Sequence, residues 1–292
     1  SVIDCSKAIS TCSSYDGDDV WEIVKSGDYS GETIPVIAVL TIAATGSEMD
    51  PWAVISNPDT KEKICFSGAN LLPRAAFENP ELTFTLPSYQ TACGSFDIFS
   101  HVLDDYYFSG ENTFELTKQF QEAVMRTVLK YAPVALSTPS NYEARANLMW
   151  SSSVALNSML DGGSDHKAVC HAIEHELSAY YDITHGHGLA IITPRWLEYC
   201  LNENTAPEIA RLGRNVFGLS AELSIIECAE KTVKELYRFC FETLGLPDKL
   251  SDVGIDDKYF TEMAEHACSG SILHSLIDLN SQDIVNIFNM CL

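Results

Sequence analysis

The apolar positions change their period part-way along the chain. The opening segment from Ser1 to Ser14 reads as a helix that starts with no strand ahead of it. From Ile34 to Ile42 the β-branched run Ile-Pro-Val-Ile-Ala-Val-Leu-Thr-Ile is short, apolar and bounded by turns, which predicts a buried strand of an α/β sheet. Shorter strands are predicted at Ala53–Ser56, Glu62–Phe66 and Ala75–Phe77, punctuated by Asn57-Pro58-Asp59 and by Gly68. After Leu86-Pro87 the apolar residues recur at three and four: Phe96, Phe99, Val102, Leu103 and Tyr106, then Leu116, Phe120, Val124 and Val128. The pattern predicts an α/β portion over 1–86 and an all-helical portion over 87–292. Helix starts are expected at Asn112 with Glu115, Ser140 with Glu143 and Thr205 with Glu208, where a side-chain oxygen and a Glu three residues on satisfy two orphan amides. Pro133 and Pro139 are expected to close one helix and open the next, and Gly218 and Gly245 to follow helix ends. Met149 and Trp150 are expected to pack between the two portions.

Composition narrows the class. With 46% hydrophobic and 20% charged residues over 292 positions, the chain folds around a core and has room for two domains. The longest apolar run, Pro35 to Ala44, is about half of the roughly twenty residues a spanning helix needs. A net charge of −23, from 41 acidic against 18 basic side chains, disfavours nucleic acid and anionic membrane as partners. The acidic run Asp16 to Asp19 reads as a solvated face. Ten cysteines with no C-x-x-C pair and no leader ahead of them read as reduced thiols in a cytoplasm.

The chemistry concentrates in the histidines, five of which lie between His166 and His187. On a predicted helix over Ala168–Tyr181, His171 and His175 sit one turn apart, and His185 follows in the Gly-rich turn His185-Gly186-His187-Gly188. Asp97 and His101, at i and i+4 on a predicted Phe96–Phe108 helix, share one face. Taken alone, Asp97 with His101 reads as an intrahelical polar pair, and the later histidines read equally as core and surface residues. Both halves in one chain favour a metal site: one carboxylate and three imidazoles suit Fe(II) or Zn(II) and leave room for a substrate oxygen. No cysteine shares the ligand spacing.

Three stretches carry a family resemblance: Ala44-Thr45-Gly46-Ser47-Glu48-Met49, Gly94-Ser95-Phe96-Asp97-Ile98-Phe99-Ser100-His101, and His171-Ala172-Ile173-Glu174-His175-Glu176-Leu177-Ser178-Ala179-Tyr180-Tyr181-Asp182-Ile183-Thr184-His185-Gly186. Through them the chain resembles, over essentially its whole length, the iron-containing (group III) alcohol dehydrogenases, and especially their NAD(P)H-dependent butanol dehydrogenase branch. The resemblance implies Asp97, His101, His171 and His185 as metal ligands, and His175 as a histidine lining the active site and relaying a proton. It implies NADH or NADPH as cofactor, bound through Ser1, Thr41, Thr45, Gly46, Ser47 and Lys63, and a small alcohol or aldehyde as substrate. Family members carry a Gly-Gly-Gly-Ser turn for the dinucleotide pyrophosphate, and Ser1 matches its Ser. The chain is therefore expected to lack the first part of its cofactor domain, and a homodimer is expected for the longer protein.

A rival reading takes His171-x-x-Glu174-His175 as the H-x-x-E-H of inverted zinc peptidases, with Glu174 as general base. It makes His175 a ligand and leaves Asp97 and His101 without a role. A third reading is a non-catalytic metal-binding fragment.

Overall fold

A computed structural model of the chain describes residues 1–108, 114–162 and 167–292. The first portion consists of short elements: α1 (Val2–Cys12), α2 (Trp21–Ser26), β1 (Ile37–Val39), β2 (Trp52–Asn57), β3 (Glu62–Ser67) and β4 (Ala75–Phe77). Strands β2 and β3 form an antiparallel hairpin with Trp52 opposite Ser67 and Asn57 opposite Glu62, and β1 pairs in parallel with β4. The strand expected over Ile34–Ile42 shrinks to three residues. It pairs with β4 alone, and only Ala38 faces inward, against Leu40 and Met149, while Ile37 and Val39 stand exposed. An apolar run without alternation cannot reveal which of its faces is covered.

From Ser88 the chain is helical: α3 (Ser88–Ser100), α4 (Glu115–Ser137), α5 (Tyr142–Ala155), α6 (Val169–Tyr181), α7 (His185–Cys200), α8 (Ala206–Asn215), α9 (Ile225–Tyr237), α10 (Phe260–Cys268) and α11 (Ser281–Met290), with a two-residue ladder of β5 (Leu273–His274) and β6 (Asp278–Leu279) before the last. α3 runs without a break into a wider π-helical turn over His101–Tyr107, closed by a bond from the Phe108 N–H to the Leu103 carbonyl. One continuous core joins these helices, with Phe96, Phe99 and Phe239 in mutual ring contact and Trp196 packed against Phe108. Each such ring removed from water contributes about 2–3 kcal/mol.

Several expected boundaries fall elsewhere. Pro133 lies inside α4, which continues to Ser137. Val128, Ala132 and Ala135 are fully buried on either side of it, and that packing outweighs the one backbone bond the ring removes. α5 is capped by Asn141, whose Oδ1 accepts the Ala144 N–H, and not by Ser140. Thr205 precedes α8, but its hydroxyl donates to the Cys200 carbonyl and caps nothing. Met149 packs as expected under β1, whereas Trp150, one residue on, is 57% exposed. Asn112, His166 and Gly163 lie outside the described residues. No described helix is long and apolar enough to cross a membrane.

Candidate metal centre

Three helix segments meet beside the β2–β3 hairpin. α3 brings Asp97 and, at the start of its wide turn, His101; α6 brings His171 as its third residue; α7 brings His185 as its first. The Gly-rich stretch expected as a turn is thus the first turn of α7, held by bonds from the His187 and Gly188 N–H groups to the Thr184 carbonyl. Glycine is needed there for closeness. A Cβ on Gly186 would stand 2.1 Å from the Cys93 carbonyl oxygen of α3, so only a bare α-carbon lets α7 press onto α3. Cys93 precedes Asp97 by one turn, and this contact sets His185 Nε2 3.6 Å from Asp97 Oδ1.

Each imidazole is held at Nδ1. His101 Nδ1 bonds the Asp97 main-chain oxygen at 2.8 Å, His171 Nδ1 bonds Asp104 Oδ2 at 3.0 Å, and His185 Nδ1 contacts Glu174 Oε2. With an acceptor at each of the three Nδ1 atoms a proton is assigned there, which leaves the Nε2 atoms as the positions that would bind an ion. The rings of His101 and His171 lie 4.4 Å apart between centroids, and those of His171 and His185 5.4 Å. Asp97, His171 and His185 each offer a ligand atom within 4.8 Å of the others. Asp97 Oδ1 and His171 Nε2 are buried with no hydrogen-bond partner. A divalent cation of borderline hardness is the partner that this nitrogen and oxygen set fits.

The electrostatics of the metal-free centre are mixed, since the shifts on Asp97 and His171 favour protons that an ion would displace. Burial lifts the Asp97 carboxyl to about 7, with His171 opposing and Glu174 adding to the rise. Burial drives His101 and His185 well below the ordinary imidazole range, helped in each case by neighbouring His171. His171 goes the other way, to about 9, because Asp105, Asp104 and Asp97 together overcome its burial. Such a carboxylate-rich interior attracts positive charge. Asp104 and Asp105 are missing from the sequence reading, although their spacing at three and four after His101 was a usable signal.

The centre opens into a cavity of about 540 Å³, lined among others by Ser1, Thr45, Ser47, Lys63, His101, His171, His175 and His185. Of the residues expected to hold the cofactor, these hydroxyls and Lys63 face the cavity. Thr41 is exposed outside its lining, and Gly46 turns the loop at φ 68° where a Cβ would meet the Ser152 carbonyl at 2.6 Å. Ser47 Oγ donates to Asp4 of α1. Lys63 Nζ lies 3.3 Å from both Glu174 Oε2 and His185 Nδ1. His175 stands 5.5 Å from His185 between ring centroids, and burial, then Lys63 and His185, keeps it neutral. His187 is tied to Tyr89 and to the Pro247 carbonyl, away from the cluster.

The zinc-peptidase reading fails on Glu174. Its carboxylate is fully buried, paired with Lys63 and His185, and takes the Ser178 hydroxyl on its other oxygen. It is built into the helix contact as an orienting group and does not line the cavity where a general base would act.

Fold and donor set together define a helical protein with a buried carboxylate–imidazole centre at the floor of a cavity that short strands wall off. Comparison with known proteins makes this specific. The C-terminal model of the Fe-containing alcohol dehydrogenase family matches residues 91–292 and the iron-containing alcohol dehydrogenase model matches residues 1–80, so the chain belongs to the iron-containing alcohol dehydrogenase family. It is 43% identical over 290 residues to NADH-dependent butanol dehydrogenase B of Clostridium acetobutylicum, covering 99% of this chain and 74% of that one. It is 34% identical over 259 residues to the NADPH-dependent aldehyde reductase YqhD of Escherichia coli, covering 88% and 66%. The crystal structure of NADH-dependent butanol dehydrogenase A from Thermotoga maritima superposes with a TM-score of 0.91 at 34% identity, over 99% of this chain and 74% of that one.

Proposed function

We propose that the chain is a metal-dependent alcohol dehydrogenase or aldehyde reductase that exchanges hydride between NADH or NADPH and short-chain primary alcohols or aldehydes such as butanol and butyraldehyde. The observation that carries this reading is the gathering of Asp97, His171 and His185, with the His101 ring 4.4 Å from that of His171 between centroids, where Asp97 Oδ1 and His171 Nε2 are buried without a hydrogen-bond partner. Relatives named as butanol dehydrogenases and aldehyde reductases support the substrate and cofactor classes. In this reading the four side chains hold Fe(II), the metal of the family's name, or Zn(II), which accepts the same donors. When bound, the ion supplies Lewis acidity toward a substrate oxygen and the nicotinamide supplies the hydride.

The chain's own residues then do the following. Asp97 brings the one anionic ligand, and the Nδ1 contacts hold the three rings against rotation. His175, neutral and on the cavity wall, exchanges the substrate's hydroxyl proton at a ring nitrogen. Ser1, Thr45 and Ser47 present hydroxyls, and Lys63 a positive charge, to the cofactor, while Thr41 and Gly46 act through the course of the loop that carries Thr45 and Ser47. Residues 1–86 serve the cofactor and 87–292 the metal. A reducing cytoplasm is supported by the chain's ten unpaired cysteines.

The test is elemental analysis of anaerobically purified chain after loading with Fe(II) or Zn(II), beside Asp97→Ala, with butyraldehyde-dependent NADH oxidation followed on the same samples. About one ion per chain, lost in the variant together with turnover, is expected. Metal content untouched by Asp97→Ala would overturn the reading.

A further inference from the structure

We propose that Asp104 is a positioning residue that locks the start of α6 and the ring of His171 to one oxygen atom; this rests on the metal-centre reading above. Asp104 Oδ2 lies 3.0 Å from the main-chain N of His171 and 3.0 Å from Nδ1 of the same residue. His171 is the third residue of α6, so its N–H is one of the amides a helix start leaves unpaired. A Ser, Asp or Asn just before the helix normally meets that amide. Here the position is Ala168, in the left-handed region at φ 43° and without any side-chain oxygen. Asp104, coming from the wide turn that follows α3, takes the place of that cap.

The double bond to one atom has a geometric consequence. The backbone bond holds the first turn of α6, the ring bond orients the imidazole, and the common acceptor couples the two, with Asp105 Oδ1 3.4 Å from the same Nδ1. What remains is Nε2, buried and without a hydrogen-bond partner. Asp104 is itself fully buried, so water does not compete for its oxygen.

A purely structural cap and a positioning residue respond differently to substitution. Asn and Asp cap helices about equally well, so Asp104→Asn keeps the helix start. It replaces a charged acceptor by a neutral one and weakens the hold on the ring. The experiment is a competition titration of Co(II) and Zn(II) between the full chain and a chromogenic chelator, with Co(II) ligand-field absorption recorded and urea unfolding measured on the metal-free proteins. Asp104→Asn is expected to unfold like wild type while binding Co(II) about three- to tenfold more weakly, with shifted absorption bands. Asp104→Ala is expected to lose about 10- to 100-fold in affinity, the range for removal of a group that orients a ligand. Wild-type affinity and bands in Asp104→Asn would overturn the proposal, even where Asp104→Ala does not fold. Failure of wild type itself to bind Co(II) or Zn(II) would instead refute the metal centre and take the proposal with it.

Discussion

The contact between Gly186 and Cys93 makes the geometry of the centre testable far from its ligating atoms. An Ala at 186 places a Cβ 2.1 Å from the Cys93 carbonyl oxygen and 2.7 Å from its carbon, where ordinary contact begins near 3.4 Å. The obstacle is backbone on a packed helix, so it has no rotamer to escape into. Relief requires α3 and α7 to separate by about 1 Å. Overpacking of this kind costs about 1–3 kcal/mol, and replacing a helical Gly by Ala returns about 1 kcal/mol, for a net loss on the order of 1–2 kcal/mol. The centre is affected more strongly, since metal–ligand distances tolerate only about 0.2 Å. His185 adjoins Gly186 and Asp97 lies one turn past Cys93, so the displacement acts directly on two donors. Metal affinity, read by chelator competition, is expected to fall at least tenfold beside the modest loss in urea stability. Gly213→Ala is the control: its Cβ would meet Thr232 Oγ1 at 2.0 Å, between α8 and α9, so stability drops while metal affinity stays. A Gly186→Ala protein as stable as wild type and with unaltered metal affinity would refute the close-approach argument.

Two further outcomes concern ionisable groups outside the centre. Burial, then Glu262, raises the Glu176 carboxyl to about 7, above its ordinary 4.5, so the folded state holds a proton that the unfolded chain releases. Its contribution is full below about pH 4.5 and is lost as pH rises to about 7; Glu176→Gln should therefore be more stable than wild type at pH 8, by on the order of 1 kcal/mol after discounting for partial exposure, and nearly equal at pH 4.5 in denaturant titrations. Lys7 is fully buried, its ammonium on Asp50 Oδ1 at 2.8 Å and on the main-chain oxygens of Asp50 and Trp52. Lys7→Met strands the Asp50 carboxylate and should cost about 3–5 kcal/mol in urea unfolding, of which Lys7→Met with Asp50→Asn recovers a substantial part.

The sequence made some of this legible for physical reasons and hid the rest for equally physical ones. The β2–β3 hairpin falls within one residue of its expected limits because two short runs are separated by a clear turn at Asn57-Pro58-Asp59. Asp97, His171 and His185 bring ligand atoms within 4.8 Å of one another, while His101 falls in a neighbouring group with Asp105 and His171. Asp104 and Asp105 did not stand out, because reading the segment as a regular α-helix gives each a single direction, whereas the π-helical turn over His101–Tyr107 buries the whole stretch from His101 to Tyr107. That change of pitch leaves no mark in an apolar pattern. Nor does a cap supplied by another element: Ala168 looks like an unremarkable helix start until Asp104 is seen opposite it. Pro133 misled because local backbone cost was weighed without the packing that overrides it.

Cys65 shares the wall of the cavity with the imidazoles and carries the softest donor atom there. Desolvation, then Asp50 and Asp4, pushes the thiol of this solvent-accessible side chain up to about 12, so without a metal it keeps its proton at neutral pH. The same acidic surroundings that would draw a cation inward thus disfavour the thiolate that suits thiophilic ions such as Cu(I). In the proposed centre, metal choice would be narrowed by disfavouring a sulfur donor as well as by the nitrogen and oxygen donors present, and a neutralised acid on that wall would change which ions compete.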